Sequence, residues 1–120
     1  MENRPKTIFC DLDGTLITHI GDINKQVKIG YVSLLEGTIE KLKEWERKGY
    51  RIIITTGRKE SMRRETVKQL EYFGIFYDML IMGLGGGVRV LINDLKEGSE
   101  QPTAIAITPI RNKGIEDIEI

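Results

Sequence analysis

Hydrophobic positions along the chain switch between runs typical of strands and spacing typical of helices. Residues 6–12 form an apolar, β-branched run that ends in acidic residues and predicts a first strand. Residues 35–48 carry apolar side chains at helical spacing before Gly49, which predicts an amphipathic helix ending there. A second apolar run at 50–56 predicts a strand covered on both faces, and 59–73 predicts a second helix.

The remaining patterns complete an alternating order of strands and helices. Short apolar runs at 79–82, 88–93 and 104–108 predict three further strands. Residues 16–32 alternate loosely on either side of a Gly-Asp pair, which predicts a β-hairpin flap after the first strand. The pattern therefore predicts an α/β fold: a doubly wound, Rossmann-like, mostly parallel sheet flanked by helices.

Composition narrows the class of protein. The 120 residues favour a single domain spanning 1–120. Eighteen basic and eighteen acidic residues give a formal net charge of zero, which argues against duplex nucleic acid or an anionic membrane as the main partner. Cys10 is the only cysteine, so an internal disulfide is excluded. Since neither a secretory signal nor a long apolar stretch is visible, we expect a cytoplasmic protein without a membrane association.

Paired carboxylates stand at the end of the first predicted strand. Asp11 and Asp13 are separated by one residue, and Gly14 allows a sharp turn directly after them. Like charges held this close are costly unless a cation lies between them. Asp-Gly alone is a common turn dipeptide, but the pentapeptide 11–15 on an apolar strand is more specific.

This pentapeptide resembles the first motif of the haloacid dehalogenase (HAD) superfamily, which has the form DxDGT. The resemblance implies a phosphatase in which Asp11 is the nucleophile that becomes an aspartyl phosphate. It also implies that Asp13 is the general acid and base, and that both residues contribute to a Mg²⁺ site. Such a nucleophile divides phosphoester hydrolysis into two easier steps. The short spacings leave no room for a cap domain, so we expect a capless member.

Two further strand ends resemble other HAD motifs. Thr56, Gly57 and Arg58 follow the second strand, and the resemblance implies that they bind the transferring phosphoryl group. Asp94 follows the predicted strand 88–93, and the resemblance makes it a Mg²⁺ ligand. Asn93 stands where the family usually has an acid or a glycine, and is a weaker or indirect ligand. Mg²⁺ prefers such hard oxygen donors.

The cation of the third HAD motif cannot be assigned from the sequence. It would be expected in the connection 83–87, which contains no Lys or Arg. Arg89 is nearest, but on a strand ending at Asp94 it would lie roughly 16 Å from that end. Arg58 and Lys68 are alternatives. The glycines of 83–87 fit either a flexible connection or a backbone approach to phosphate.

The expected function is therefore a Mg²⁺-dependent phosphomonoester hydrolase acting on a small phosphorylated metabolite such as a sugar phosphate. One alternative is a HAD-like domain with weak catalysis that binds a phosphorylated ligand or a partner protein. Another is a nucleic-acid-end phosphatase, because residues 56–82 resemble polynucleotide-end phosphatases. Neutral net charge makes nucleic acid the less favoured substrate. Apolar side chains on the predicted hairpin, including Ile20 and Ile29, predict a homo-oligomer.

Overall fold

The computed structural model describes residues 4–120 and shows a parallel sheet connected by helices. The elements in chain order are β1 (Thr7–Asp11), α1 (Ile23–Gln26), α2 (Thr38–Arg47), β2 (Arg51–Thr55), a 3₁₀ turn (Glu60–Met62), α3 (Arg63–Phe73) and β3 (Met79–Ile81). The strands lie in the order β1-β2-β3, and both pairs are parallel. The predicted α/β fold with a parallel sheet is confirmed.

The strand register brings the candidate residues to one edge of the sheet. Asp11, the last residue of β1, lies opposite Thr55, the last residue of β2. Thr55 in turn lies opposite Ile81, the last residue of β3. All three strands therefore end together, and the residues that follow them share the carboxyl edge, where open α/β sheets bind ligands.

Alternate side chains of the sheet form the core. Ile8 and Cys10 of β1 and Ile52 and Ile54 of β2 are buried, whereas Phe9 between them is exposed. Leu42 and Trp45 of α2 and Leu70 of α3 are buried in the same cluster. Burying each of these large apolar side chains stabilises the fold by about 1.5–3 kcal/mol. β2 is thus buried most fully on one face, rather than equally on both faces as its sequence predicts.

The two long helices end where their glycines predict. Gly74 follows α3 with φ 73°, and its N–H donates to the Leu70 and Glu71 carbonyls, which would otherwise lack partners. Gly49 follows α2 with φ 77°. None of the helices in the described part of the chain has the length and apolarity needed to cross a membrane.

The segment between β1 and α2 differs from the predicted hairpin. Asp22 accepts hydrogen bonds from the Asn24 and Lys25 N–H groups and thereby caps the short helix α1. Around it the chain forms isolated bridges, such as Ile17 with Leu34, instead of a continuous ladder. We call residues 16–32 the flap.

The strands predicted at 88–93 and 104–108 are wrong. Residues 88–108 have no helix or strand assignment, and their apolar side chains are largely exposed, with Val88 at 93% and Ile92 at 90%. A β-branched run forms a strand only when a neighbouring strand supplies hydrogen bonds and packing. We call residues 88–110 the arm. Beyond it the chain returns to the core, where Ile115 is buried.

Candidate active site

The turn after β1 positions the two aspartates of the first motif. The Leu12 carbonyl accepts hydrogen bonds from the N–H groups of Thr15 and Leu16, at 3.2 and 2.9 Å, so the chain reverses directly after the strand. Gly14 has φ +87°, a conformation that a residue with a Cβ rarely adopts. Asp11 and Asp13 therefore stand on either side of Leu12, whose side chain is fully buried.

Asp11 lies where its carboxylate loses part of its hydration. This desolvation raises the pKa of Asp11, and the nearby charge of Asp13 raises it further. Hydrogen bonds from the Leu12 N–H and the Thr15 hydroxyl lower the same pKa, as does the positive charge of Arg89. The net effect is a raised pKa, because desolvation outweighs the donors and the positive charge that stabilise the ionised nucleophile.

Asp13 is held by three hydrogen bonds from nitrogen donors. Arg58 Nε donates to Oδ2 over 2.9 Å, and Arg58 Nη2 donates to Oδ1 over 2.7 Å. Gln26 Nε2 also donates to Oδ1, over 2.8 Å. Both carboxylate oxygens accept only from N–H groups, which is the bonding pattern of an ionised carboxylate. The three donors fix the orientation of the Asp13 carboxylate.

The guanidinium of Arg58 is buried and directed towards Asp13. Its Nη1 donates to Thr66 Oγ1 over 3.0 Å, and its Nη2 also contacts the Gln26 carbonyl over 3.3 Å. The side chain is 1% exposed. Arg58 therefore binds Asp13, the candidate general acid and base. Its contact with the phosphoryl group stays a prediction.

Thr56 and Gly57 lie at the carboxyl end of β2, next to the connection that follows β3. Thr56 is buried, and its hydroxyl accepts the Arg58 N–H over 3.1 Å, which leaves the hydroxyl hydrogen available for a phosphoryl oxygen. Gly57 packs tightly: an added Cβ would lie 2.5 Å from the Gly85 carbonyl oxygen. Their phosphoryl-binding role stays a prediction.

The glycine-rich connection is bonded to the end of β2. The Gly83 N–H donates to the Arg58 carbonyl over 2.7 Å, and the Leu84 N–H donates to the Thr56 carbonyl over 3.2 Å. These donors are used within the protein, so this part of the connection is neither loose nor free to cradle phosphate. Gly83 and Gly85 have φ 79° and 72°, a conformation that glycine adopts readily.

Arg89 lies on the arm, where the predicted strand does not form. Its guanidinium donates to the carbonyls of Gly85 and Gly87, which turns the side chain back towards the sheet edge. Its charge is close enough to lower the pKa of Asp11. The assignment of the third-motif cation stays a prediction, and Arg89 is a candidate whose charge acts on the first aspartate.

Asp94, the third predicted metal ligand, is not brought to the other two. It is exposed on the arm, and its carbonyl accepts a hydrogen bond from the Thr103 hydroxyl. Within residues 4–120, no group of three or more His, Cys, Asp or Glu side chains lies close enough to hold a metal ion. The Asp11 carboxylate and the Asp13 carbonyl are hard oxygen donors of the kind that Mg²⁺ prefers, so this part of the set fits the metal.

Cys10 takes no part in the site. Burial, together with the charge of Asp11, raises the pKa of its thiol to about 12. It therefore stays a neutral thiol at physiological pH and cannot act as a nucleophile. Cys10 is a buried residue of β1.

The sequence gives no signal for three polar residues near the aspartates: Gln26, Gln69 and Asn112. Gln26 reaches Asp13, and its carbonyl accepts a hydrogen bond from the buried Gln69 over 2.8 Å. Asn112, close to the C-terminus, contacts the turn at Gly14. Each lies on a different element from Asp13 and belongs to no local motif. Gln26 differs from its helix neighbours in being buried while they are exposed. This difference is visible in the structure and not in the sequence.

The fold and the site define an α/β domain with paired aspartates at the carboxyl edge of a parallel sheet. The chain belongs to the family of haloacid dehalogenase-like hydrolases, whose family profile matches residues 8–88. The resemblance seen in the sequence is therefore confirmed. The match ends where the arm begins. No curated protein matches the chain significantly.

Solved structures show the same likeness. A chain in the structure of the Pnkp1/Rnl/Hen1 complex is 32% identical, with a TM-score of 0.58, over 72% of this chain and 30% of that one. A chain of the Pnkp1/Rnl/Hen1 RNA repair complex is 28% identical, with a TM-score of 0.56, over 80% of this chain and 28% of that one. This chain therefore spans less than a third of either.

A crystallised protein from Vibrio cholerae shares the fold. It is 23% identical, with a TM-score of 0.53, and the match covers 74% of this chain and 79% of that one. This likeness concerns chain topology and says nothing of the reaction.

Proposed function

We propose that this protein is a phosphomonoester hydrolase that works through an aspartyl phosphate on Asp11. The observation that carries the proposal is the environment of Asp11 and Asp13. The charge of Arg89 acts on the Asp11 carboxylate at the sheet edge, and Arg58 and Gln26 fix the Asp13 carboxylate. A binding module has no evident need for a second, separately oriented carboxylate beside the first.

Two half-reactions account for both aspartates. In the first, an Asp11 carboxylate oxygen attacks phosphorus, the ester P–O bond breaks, and protonated Asp13 gives its proton to the departing alkoxide. In the second, ionised Asp13 removes a proton from water as that water attacks phosphorus. The acyl–phosphate bond breaks, Asp11 is regenerated, and inorganic phosphate leaves. The hydrogen bonds that Asp13 accepts here match the ionised form needed for the second half-reaction.

Other groups at the carboxyl edge of the sheet would stabilise the negative charge of the phosphoryl group. Arg89 offsets the charge that accumulates when a phosphate dianion meets the Asp11 carboxylate. Thr56 is placed to donate its hydroxyl to a phosphoryl oxygen. The Asp11 carboxylate and the Asp13 carbonyl would hold Mg²⁺, with Asp94 as a further ligand if the arm moves towards them. Bound Mg²⁺ supplies Lewis-acid polarisation of the phosphoryl oxygens.

We propose a small phosphorylated metabolite, such as a sugar phosphate, as the substrate class, since the net charge of the chain is zero. A phosphorylated RNA end is the second candidate. It is favoured by the 32% identity to a chain of the Pnkp1/Rnl/Hen1 complex and by the RNA repair function named for that assembly. Sugar phosphates and oligoribonucleotides phosphorylated at either end, assayed at equal concentration, would separate the two.

Turnover of p-nitrophenyl phosphate tests the proposal against a domain that only binds phosphate. We expect hydrolysis that stops with EDTA and returns with Mg²⁺. Asp13→Asn should slow alkyl phosphates by about 100- to 10,000-fold and p-nitrophenyl phosphate less, because its leaving group needs no proton. Phosphate binding without turnover in the wild-type protein would favour the binding domain instead.

A further inference from the structure

The residues close to the C-terminus contact the turn that carries the two aspartates. The Asn112 backbone N–H donates to the Gly14 carbonyl over 2.8 Å. The Asn112 side chain accepts the His19 backbone N–H at Oδ1 over 2.7 Å, and it donates from Nδ2 to the His19 carbonyl over 3.1 Å. Asn112 therefore hydrogen-bonds to both ends of the loop 14–19, which follows Asp13.

This contact depends on Gly114 and Ile115, which pack against the rest of the protein. Ile115 is 1% exposed within the core, and its N–H donates to the Glu36 carbonyl over 3.0 Å. Gly114 has φ +84°, and a Cβ added there would lie 2.4 Å from the Glu36 carbonyl oxygen. The segment therefore packs closely beside the start of α2, and this packing sets the position of Asn112.

Asn112 itself has an unusual backbone. With φ 64° it is the one described non-glycine residue in the left-handed region. Asparagine enters this region more readily than most residues. It therefore combines a conformation close to that of glycine with a side chain that bonds to the loop.

The side-chain stem of the residue before it, Arg111, lies beside the turn at Gly14. Arg111 Cγ lies 3.1 Å, and Cδ 3.7 Å, from the position that a Cβ on Gly14 would take. The arginine is exposed, and no salt bridge among the described residues engages it.

We propose that Arg111 and Asn112 are part of the phosphatase site. Asn112 positions the loop behind Asp13, and Arg111 binds a second phosphate group on the substrate, beyond the one that is hydrolysed. The preferred substrates are therefore phosphomonoesters that carry another phosphate. This inference rests on the proposed function and adds the substrate class to it.

Matched nucleotides test the role of Arg111. Wild-type protein should favour adenosine 3′,5′-bisphosphate over either adenosine monophosphate by about tenfold in kcat/KM, the size expected for one charge-assisted contact. Arg111→Ala should remove this preference. Lys113→Ala is the control, because Lys113 is an exposed cation of the same segment and should leave the preference intact. An unchanged preference in Arg111→Ala would overturn the proposal.

Binding decides the question without turnover. In an Asp11→Asn background, calorimetry should show that Arg111→Ala weakens the bisphosphate about tenfold and the monophosphates little. Equal weakening of all three would contradict the proposal. If wild-type protein hydrolyses nothing, the proposed function fails, while these dissociation constants still show whether Arg111 binds a second phosphate.

Two variants isolate the side chain of Asn112. Asn112→Gly keeps the left-handed backbone and the bond to Gly14 but removes both bonds to His19. We expect kcat for alkyl phosphates to fall about tenfold further than kcat for p-nitrophenyl phosphate, because Asp13 must be placed to protonate alkoxides. Asn112→Asp keeps one acceptor and should recover part of the loss. Equal losses for both substrates with a lowered Tm would mean that Asn112 serves the fold alone.

Discussion

At the scale of single residues, Asp13 and Arg58 form an ion pair in which the arginine side chain is 1% and the aspartate 17% exposed. Two parallel N–H···O bonds fix its geometry, and Gln26 adds a third donor to the aspartate. Desolvation offsets much of the attraction in such a pair, but removal of one partner leaves a charge without compensation.

We therefore expect Arg58→Met to lower the free energy of unfolding by about 3–5 kcal/mol, because Asp13 loses its counter-charge. Urea denaturation measures the change. Glu60→Gln is the control, since it removes the charge of an exposed pair with Arg63 and should change the stability far less. Equal effects of the two variants would mean that the Asp13 pair is no more important than a surface pair.

Asp11 predicts a dependence of stability on pH. Its folded-state pKa is raised, so the folded protein holds its proton more tightly than the unfolded chain does. Ionised Asp11 therefore destabilises the fold above this raised pKa, and the cost disappears below the unfolded value of about 3.9. Asp11→Asn, measured in EDTA, should be more stable than wild type at pH 7 and equal to it near pH 3. A variant that is less stable at pH 7 would contradict this sign.

Asp11 and Asp13 could be predicted from the sequence, because two carboxylates and a glycine at this spacing after an apolar strand form a local motif. Gln26 and Asn112 gave no such signal. Their contacts join residues 13 and 93 positions apart in the chain, and only the fold brings those together. Arg89 was expected on a strand, and that strand does not form.

At the scale of elements, β1 to β3 and the two long helices follow from periodicity, because each has neighbours that satisfy its hydrogen bonds and cover its apolar side. The runs at 88–93 and 104–108 have the same β-branched character but no partner strand. β-propensity measures packing on a half-buried surface, so composition alone could not show that this packing was missing. The flap was missed for a different reason, since Asp22 caps a helix within a loosely alternating segment.

The junction of β2 with the glycine-rich connection gives a prediction at this scale. Gly57→Ala should destabilise the protein by about 1–3 kcal/mol and lower kcat/KM, because the new methyl group collides with the Gly85 carbonyl and displaces Thr56. Gly86→Ala is the matched control, since nothing lies within 4 Å of a Cβ added there. Thermal unfolding and steady-state kinetics measure the two effects. Similar stability and activity in both variants would show that the close approach is unimportant.

At the scale of the whole molecule, exposed apolar side chains are concentrated in the flap and the arm. On the flap, Ile17 and Val32 are buried, whereas the exposed residues are Ile20, Ile23, Ile29 and Tyr31. The flap therefore uses part of its apolar surface for its own core and leaves the rest uncovered. Clusters of this kind commonly mark interfaces between proteins.

We accordingly predict a homo-oligomer that buries the flap between copies. Ile20→Asp combined with Ile29→Asp should give monomers with a raised KM, as measured by light scattering at micromolar concentration and by kinetics. Tyr72→Asp, which changes an exposed aromatic residue on α3, should leave the assembly intact. A wild-type mass of 13.7 kDa would rule out the oligomer. An assembly that survives both flap substitutions would place the interface elsewhere.

The most direct test of the account is to trap the covalent intermediate. Protein is mixed with a phosphomonoester carrying a radiolabelled phosphoryl group and Mg²⁺, quenched in acid, and digested to find the labelled peptide. The account predicts a label on Asp11 that mild base removes, as expected for an acyl phosphate, and no label in Asp11→Asn although that variant remains folded. A wild-type protein that turns over the ester without labelling Asp11, or that is labelled at another residue, would contradict the account.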